Sequence, residues 1–180
     1  MKTYIAILRG INVSGKNVIK MKDLVEVLKK LNFSAIQTYI QSGNVIFSHE
    51  DKPLHFFENE IHTAIHNHFG YDVPVLVLTK EYLSRVIADN PFLKMDETDV
   101  SKLHVTFLAK VPENELINKT TVFEYPPDEI LPGNKSFYVY CPAGYGRTKF
   151  NNTFFEKNLK VRATTRNWKS CNKLLELSNG

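Results

Sequence analysis

The sequence predicts an α+β protein of two tandem split βαββαβ units with antiparallel sheets, a connecting helix between them and a C-terminal helix after the second. Three observations carry this expectation. The 180 residues allow one large domain or two small ones. Short apolar or alternating runs of strand length are interleaved with stretches of helical period. The order of these runs over residues 1–79 recurs after residue 102, in pattern and not in residue identity.

In the first unit, 1–79, Tyr4-Ile5-Ala6-Ile7-Leu8 is a buried strand ended by Arg9-Gly10, and residues 11–20 are a polar loop. Met21, Leu24, Val25, Val27, Leu28 and Leu31 follow helical spacing. Ile36 to Gln41 alternates as a half-buried strand, Ser42-Gly43-Asn44 is a tight turn, and Val45-Ile46-Phe47 returns. Pro53 sits near the first turn of a helix that carries Leu54, Phe57, Ile61, Ala64, Ile65 and Phe69 to Gly70. Val73 to Leu78 is the fourth strand.

Residues 80–102 hold the connecting helix, capped by Thr79 and ended by Asn90-Pro91, and an acidic loop over 94–102 as the expected boundary. The second unit, 103–180, reads as a strand from Leu103 to Leu108, a short helix from Pro112 to Asn118, and a strand within 121–131 interrupted by Pro126-Pro127. Then come a strand from Ser136 to Cys141, a helix over 151–157 and a strand over 161–164. The final helix, from about Arg166 to Ser178, takes Thr165 as its cap. Both faces of the first sheet are apolar, where an open face should be polar, so a second unit, a helix or another subunit is expected to cover it.

Composition is that of a globular protein, with 43% hydrophobic and 23% charged residues. No apolar run approaches the roughly 20 residues of a membrane span. The chain enters strand-like sequence at once, so no signal peptide is expected. Cys141 and Cys171 have neither metal-ligand spacing nor the number for a disulfide framework, which fits a reducing cytoplasm. The net charge of +4 is unevenly spread. Residues 135–173 carry nine Lys or Arg and one acid, and residues 1–34 seven bases and two acids. The middle, 35–134, carries seven bases and fifteen acids. Two basic ends suggest a face that attracts anions if the fold brings them together.

Arg9-Gly10-Ile11-Asn12-Val13-Ser14-Gly15-Lys16-Asn17 is the sharpest local signal. Its two glycines and following Lys have the spacing of a phosphate-cradling loop after a strand. Asn17 stands where the hydroxyl ligand for magnesium should be, which argues against nucleotide hydrolysis and leaves plain anion binding or a glycine-permitted turn. The second cluster is Arg162, Arg166, Asn167, Trp168 and Lys169. With Thr165 as cap, the helix N–H groups would face an anion beside Arg166, and Trp168 would stack on a ring or lie in the core. His62 and His66 have the spacing of a zinc pair but no third ligand, so no metal is expected. Ser42 lacks the glycine of a nucleophile elbow, and Lys135 to Tyr140 fails the RNA-binding strand signature.

RGINVSGKN, then KMKDLVEVLKKLNF, then TYIQSGNVIF resembles the opening of the domain-of-unknown-function 1697 family. Tyr145-Gly146-Arg147-Thr148-Lys149 and Ala163-Thr164-Thr165-Arg166-Asn167-Trp168 resemble its C-terminal signature, so the likeness spans essentially the whole chain. Ser14 departs from the glycine common there. The resemblance implies a paired ferredoxin-like fold and no established activity.

The expected function is a cytoplasmic module that binds a phosphorylated small molecule or a nucleic-acid backbone. Arg9, Gly10, Asn12, Gly15, Lys16, Asn17, Arg147, Lys149, Thr165, Arg166, Asn167 and Trp168 are its anion-binding candidates, converging on one basic cleft. No cofactor is expected and no catalytic residue is assigned. The alternatives are a homodimerising or partner-binding protein that uses its apolar sheet face, and an enzyme built on the same anion site.

Overall fold

A computed structural model describes residues 1–96 and 98–180, so Glu97 of the acidic loop lies outside the described residues. Among those residues it has two four-stranded antiparallel sheets and six α-helices in two similar halves. The first half runs β1 (Lys2–Leu8), α1 (Met21–Lys29), β2 (Ser34–Tyr39), β3 (Asn44–His49), α2 (Leu54–Phe69) and β4 (Val75–Thr79). Helix α3 (Lys80–Ala88) follows. The second half runs β5 (Leu103–Leu108), α4 (Asn114–Thr121), β6 (Glu129–Gly133), β7 (Ser136–Tyr140), α5 (Asn152–Leu159) and β8 (Ala163–Asn167), and α6 (Trp168–Leu177) closes it. The sheet orders are β2-β3-β1-β4 and β6-β7-β5-β8.

The chain divides into two compact units, Met1–Leu83 with Leu174–Gly180, and Ser84–Lys173. The division falls inside α3, not in the 94–102 loop. Thr79 Oγ1 accepts from the Tyr82 N–H, so α3 starts directly off β4. Its later turn is anchored in the second unit, where Tyr138 donates its hydroxyl proton to the Val86 carbonyl at 2.9 Å. The end of α6 belongs to the first unit, whereas the sequence assigned all of 103–180 to the second.

In the first unit, α1 and α2 pack Leu24, Leu28, Phe57, Ile61 and Ile65 on Tyr4, Ala6, Leu8, Val45, Phe47, Val75 and Val77. Each such burial is worth roughly 1.5–3 kcal/mol. The other face of this sheet is buried within the chain as well: Ile5, Ile7, Ile46, Leu76 and Leu78 have next to no exposure.

The two halves repeat their backbone bonds. Leu8 N–H donates to Gly43 and Leu108 N–H to Lys135; Arg9 N–H donates to Pro74 and Ala109 N–H to Arg162. The outer strands β4 and β8 each receive a carboxylate, Glu58 from the Val77 N–H and Glu156 from the Ala163 N–H. In the second half, α4 starts two residues later than the apolar pattern suggests, and β6 lies beyond the Pro126-Pro127 pair. Pro132 is tolerated in β6 because that strand is at the sheet edge.

Strand β8 runs on through Thr165 to Asn167, so Thr165 is no helix cap. Its hydroxyl is held by Thr106 on the neighbouring strand and by Asn152 at the start of α5, and α6 begins at Trp168 with Asn167 as its cap. The Asn167 Oδ1 accepts from the Ser170 N–H at 2.7 Å.

Candidate functional site

Residues 10–17 build a closed miniature hairpin, not a phosphate cradle. Asn12 N–H donates to Asn17 and Lys16 N–H to Val13, with Ser14 and Gly15 both left-handed at the tip. That is the turn geometry of tight hairpins. The Asn12 carboxamide donates to the Ile19 and Gln41 carbonyls and accepts from the Ile19 N–H, each at 2.8 Å. The Asn17 carboxamide donates to the Gly10 carbonyl. A cradle needs its amides aimed at one empty point. Here the Asn12 and Lys16 amides are spent on carbonyls, and residues 18–20 separate the hairpin from α1. Left-handed positions favour Gly and Asn in hairpins and cradles alike, which is why the spacing misleads.

The hairpin locks onto the turn over 40–43. Gly43, left-handed at φ +77°, lies so close to Leu8 and Ile11 that a Cβ there would stand 2.6 Å from the Leu8 Cβ. Asn44 is fully buried and donates to Tyr39 and Ser42. The two N-terminal motifs thus form one end of the first sheet. Lys16 projects from it exposed, and Arg9 is half-buried.

The C-terminal motifs meet inside the second unit. Asn152 Oδ1 accepts the Thr165 proton at 2.7 Å, so Thr165 Oγ1 accepts in turn from Thr106 at 2.8 Å. The Tyr145 hydroxyl is buried beside Thr165 and completes no hydrogen bond. Burial pushes that phenol up. The Tyr145 ring stacks on His104 at 4.7 Å. Burial holds His104 below the usual histidine range, and its Nδ1 lies 3.1 Å from the Lys102 carbonyl. The neutral ring therefore carries its proton on Nδ1 and its lone pair on Nε2. Arg166 donates to the Thr165 carbonyl at 2.9 Å. Burial lowers its guanidinium to about 10, so it stays charged at neutral pH near Tyr145 and Cys171.

Burial also pushes Cys141 to about 11 and Cys171 to about 12. Both are free, buried thiols without the thiolate that nucleophilic chemistry needs. Trp168 is half-buried on the first turn of α6. His62 turns its Nδ1 to the Val73 carbonyl and its Nε2 to Asp72 at 3.7 Å, and its ring centre lies 6.5 Å from that of His66.

Arg147 and Lys149 leave this cluster for solvent and line a cavity of about 370 Å³ with Glu124, Tyr125, Pro126, Pro127, Asp128 and Ala143. The Lys149 ammonium stands 4.7 Å over the Tyr125 ring, a cation–π contact. That ring packs on Phe150 at 5.1 Å. Neither cation forms an ion pair among the described residues, although Glu124 and Asp128 share the cavity wall. The Asp128 Oδ1 is buried without a partner. An adjoining cavity of about 500 Å³ shares Glu124 to Asp128 and adds Phe123.

The sequence candidates belong to both units. Gly10, Asn12 and Asn17 bond one another within the first unit, in the hairpin that carries Gly15 and Lys16 at its tip. Thr165 and Arg166 meet Tyr145, and Arg147 meets Lys149, in the second. His104, Tyr125 and Asp128 were missed. The signal for His104 was two polar residues, His104 and Thr106, on one face of an otherwise apolar strand.

A family model described as "Protein of unknown function (DUF1697)" matches residues 1–138. No curated protein matches the sequence. Among solved structures, that of the conserved bacterial protein SP0830 from Streptococcus pneumoniae is similar at a TM-score of 0.77 and 20% identity, covering 98% of each chain. At that identity the likeness is one of fold. No helix among the described residues is long and apolar enough to cross a membrane.

Proposed function

The chain belongs to the DUF1697 family of proteins of unknown function, and from that premise we propose that it is a binding module for a phosphorylated small molecule, held in the second of two tandem ferredoxin-like units. The observation that carries this reading is the pair Arg147 and Lys149, both exposed and without an ion pair among the described residues, on the wall of one concave cavity. Two cations within one small cavity suit the compact dianion of a phosphate ester, and Arg adds a planar pair of donors. The cavity volume is in the range of small-molecule sites.

Glu124 and Asp128 on the same wall favour a small ligand over a nucleic-acid backbone. A backbone presents charge after charge, and carboxylates beside the cations would repel it. Two buried, protonated thiols are suited to a reducing cytoplasm.

Isothermal titration of the whole chain with ribose 5-phosphate, and separately with a short single-stranded oligonucleotide, tests the reading. Saturable binding of the sugar phosphate is expected, weakened about tenfold or more by Arg147→Ala, since a charge-assisted hydrogen bond is worth roughly 1.5–3 kcal/mol. Oligonucleotide binding that is steeply salt-dependent, with no sugar-phosphate binding, would replace it with the nucleic-acid reading. Equal affinities of the wild-type chain and the Arg147→Ala variant would remove the site.

A further inference from the structure

We infer that the ligand of the Arg147–Lys149 cavity is a zwitterion, a phosphate monoester that also carries an ammonium group, with the ammonium at Glu124; this rests on the phosphate-binding reading above. The starting observation is that opposite charges share one wall without meeting. Arg147, Lys149, Glu124 and Asp128 all line the same cavity of about 370 Å³. None of the four forms an ion pair among the described residues.

The cations are instead placed by other contacts. The Lys149 ammonium stands 4.7 Å over the Tyr125 ring, which packs on the buried Phe150 at 5.1 Å. An aromatic face attracts an ammonium without neutralising it. The segment that carries both cations is tied by its own bonds. Arg147 N–H donates to the Gly144 carbonyl, and Phe150 N–H donates to Thr148 Oγ1 at 3.1 Å. Of the two carboxylates, Glu124 is exposed while Asp128 keeps its Oδ1 buried, so Glu124 is the one within reach of a ligand.

A wall of both signs selects on the body of the ligand as well as on its phosphate. A second anionic group, as in a bisphosphate or a phosphorylated carboxylic acid, meets like charge at Glu124. A neutral body leaves Glu124 in water. An ammonium a few bonds from the phosphate pairs with Glu124 while the phosphate takes Arg147 and Lys149, so that ligand and wall are complementary in both signs. Affinity should therefore fall in the order ammonium, hydroxyl, carboxylate at one position of one skeleton. Each step is modest, about three- to fivefold, because an exposed ion pair contributes little.

The test is calorimetric titration of the whole chain with 2-aminoethyl phosphate, 2-hydroxyethyl phosphate and 2-phosphoglycolate, repeated on Glu124→Gln. The amine is expected to bind about fivefold tighter than the alcohol, and phosphoglycolate more weakly than either. Glu124→Gln should weaken the amine, leave the alcohol nearly unchanged and strengthen phosphoglycolate, opposite signs that a general loss of structure does not produce. Equal affinities of the three esters, or the same order of affinities in Glu124→Gln, would overturn the inference while leaving the phosphate-binding reading in place. Absence of binding by all three would sink that reading too.

Discussion

In the first unit β1 turns Tyr4, Ala6 and Leu8 toward the helices; in the second, β5 turns His104, Thr106 and Leu108 to the same side at the same register. The outer strands repeat the contrast, with Val75 and Val77 opposite Leu8 and Ala6, and Ala163 and Thr165 opposite Leu108 and Thr106. One backbone plan therefore carries a dry interior in the first unit and a hydroxyl relay in the second. Polar groups are tolerated in a core when every one is bonded. Thr106, Thr165 and Asn152 meet that condition, and the Tyr145 hydroxyl beside them does not. The unit with the incomplete interior is also the one whose cavity is lined by Arg147 and Lys149.

The sharpest way to break the comparison is at the residues before β3 and β7. Gly43 and Lys135 both have positive φ, and both accept the bond from the last residue of the preceding central strand. Only Gly43 is jammed against Leu8 and Ile11. Gly43→Ala should cost about 3 kcal/mol, combining left-handed strain with overpacking, read as a lower urea midpoint at unchanged slope. Lys135→Gly should stay within about 1 kcal/mol of wild type, because strain relief and added chain freedom oppose each other. Equal losses at the two positions would end the equivalence.

The next largest effect sharpens the contrast between interiors. Thr165→Val gives the second unit the side chain that Val77 supplies in the first. It should cost about 2 kcal/mol by stranding the Asn152 oxygen, although it replaces a hydroxyl with a methyl. The mirror change, Val77→Thr, should cost a similar amount by burying a hydroxyl among apolar neighbours. A double-mutant cycle of Thr106→Val and Thr165→Val should show coupling, since the two hydroxyls share one bond. Strict additivity would mean that the relay does not act as a unit.

Much of this scaffold was legible in the sequence, because strands such as Tyr4 to Leu8 and helices such as Leu54 to Phe69 announce themselves by period. The site was legible only as residue types. Gly10 to Asn17 read as a cradle because the same left-handed residues serve a hairpin, and the deciding bonds from Asn12 run to Gln41, distant in sequence. Thr165 read as a cap because its partners Thr106 and Asn152 come from two other elements. The apolar second face of the first sheet read as covered, while the identity of its cover was not legible because it is a tertiary property. Arg147 and Lys149 were found by charge, while Tyr125 and Asp128 lay hidden in a stretch read as an interrupted strand.

A smaller effect separates His104 from Tyr4, its counterpart on β1. Burial depresses the His104 pKa in the folded chain below its ordinary 6.5. The unfolded chain therefore takes up this proton first as pH falls. His104 contributes full stability above about 6.5 and loses it as pH drops through the window below that value toward the folded pKa. Urea midpoints between pH 7.5 and 5 should decline, and His104→Phe, which keeps the ring stack on Tyr145, should flatten the decline. An unchanged slope in that variant would assign the proton elsewhere.

The assignment of ligand binding to the second unit, and not to the glycine hairpin of the first, is tested most directly by amide chemical shifts during titration with ribose 5-phosphate. The account predicts saturable shifts at Gly144, Gly146 and Lys149, around the cavity wall, with Gly10, Gly15 and Lys16 unmoved. Shifts confined to Gly10, Gly15 and Lys16, with the 143–149 loop silent, would contradict it and return the anion site to the hairpin.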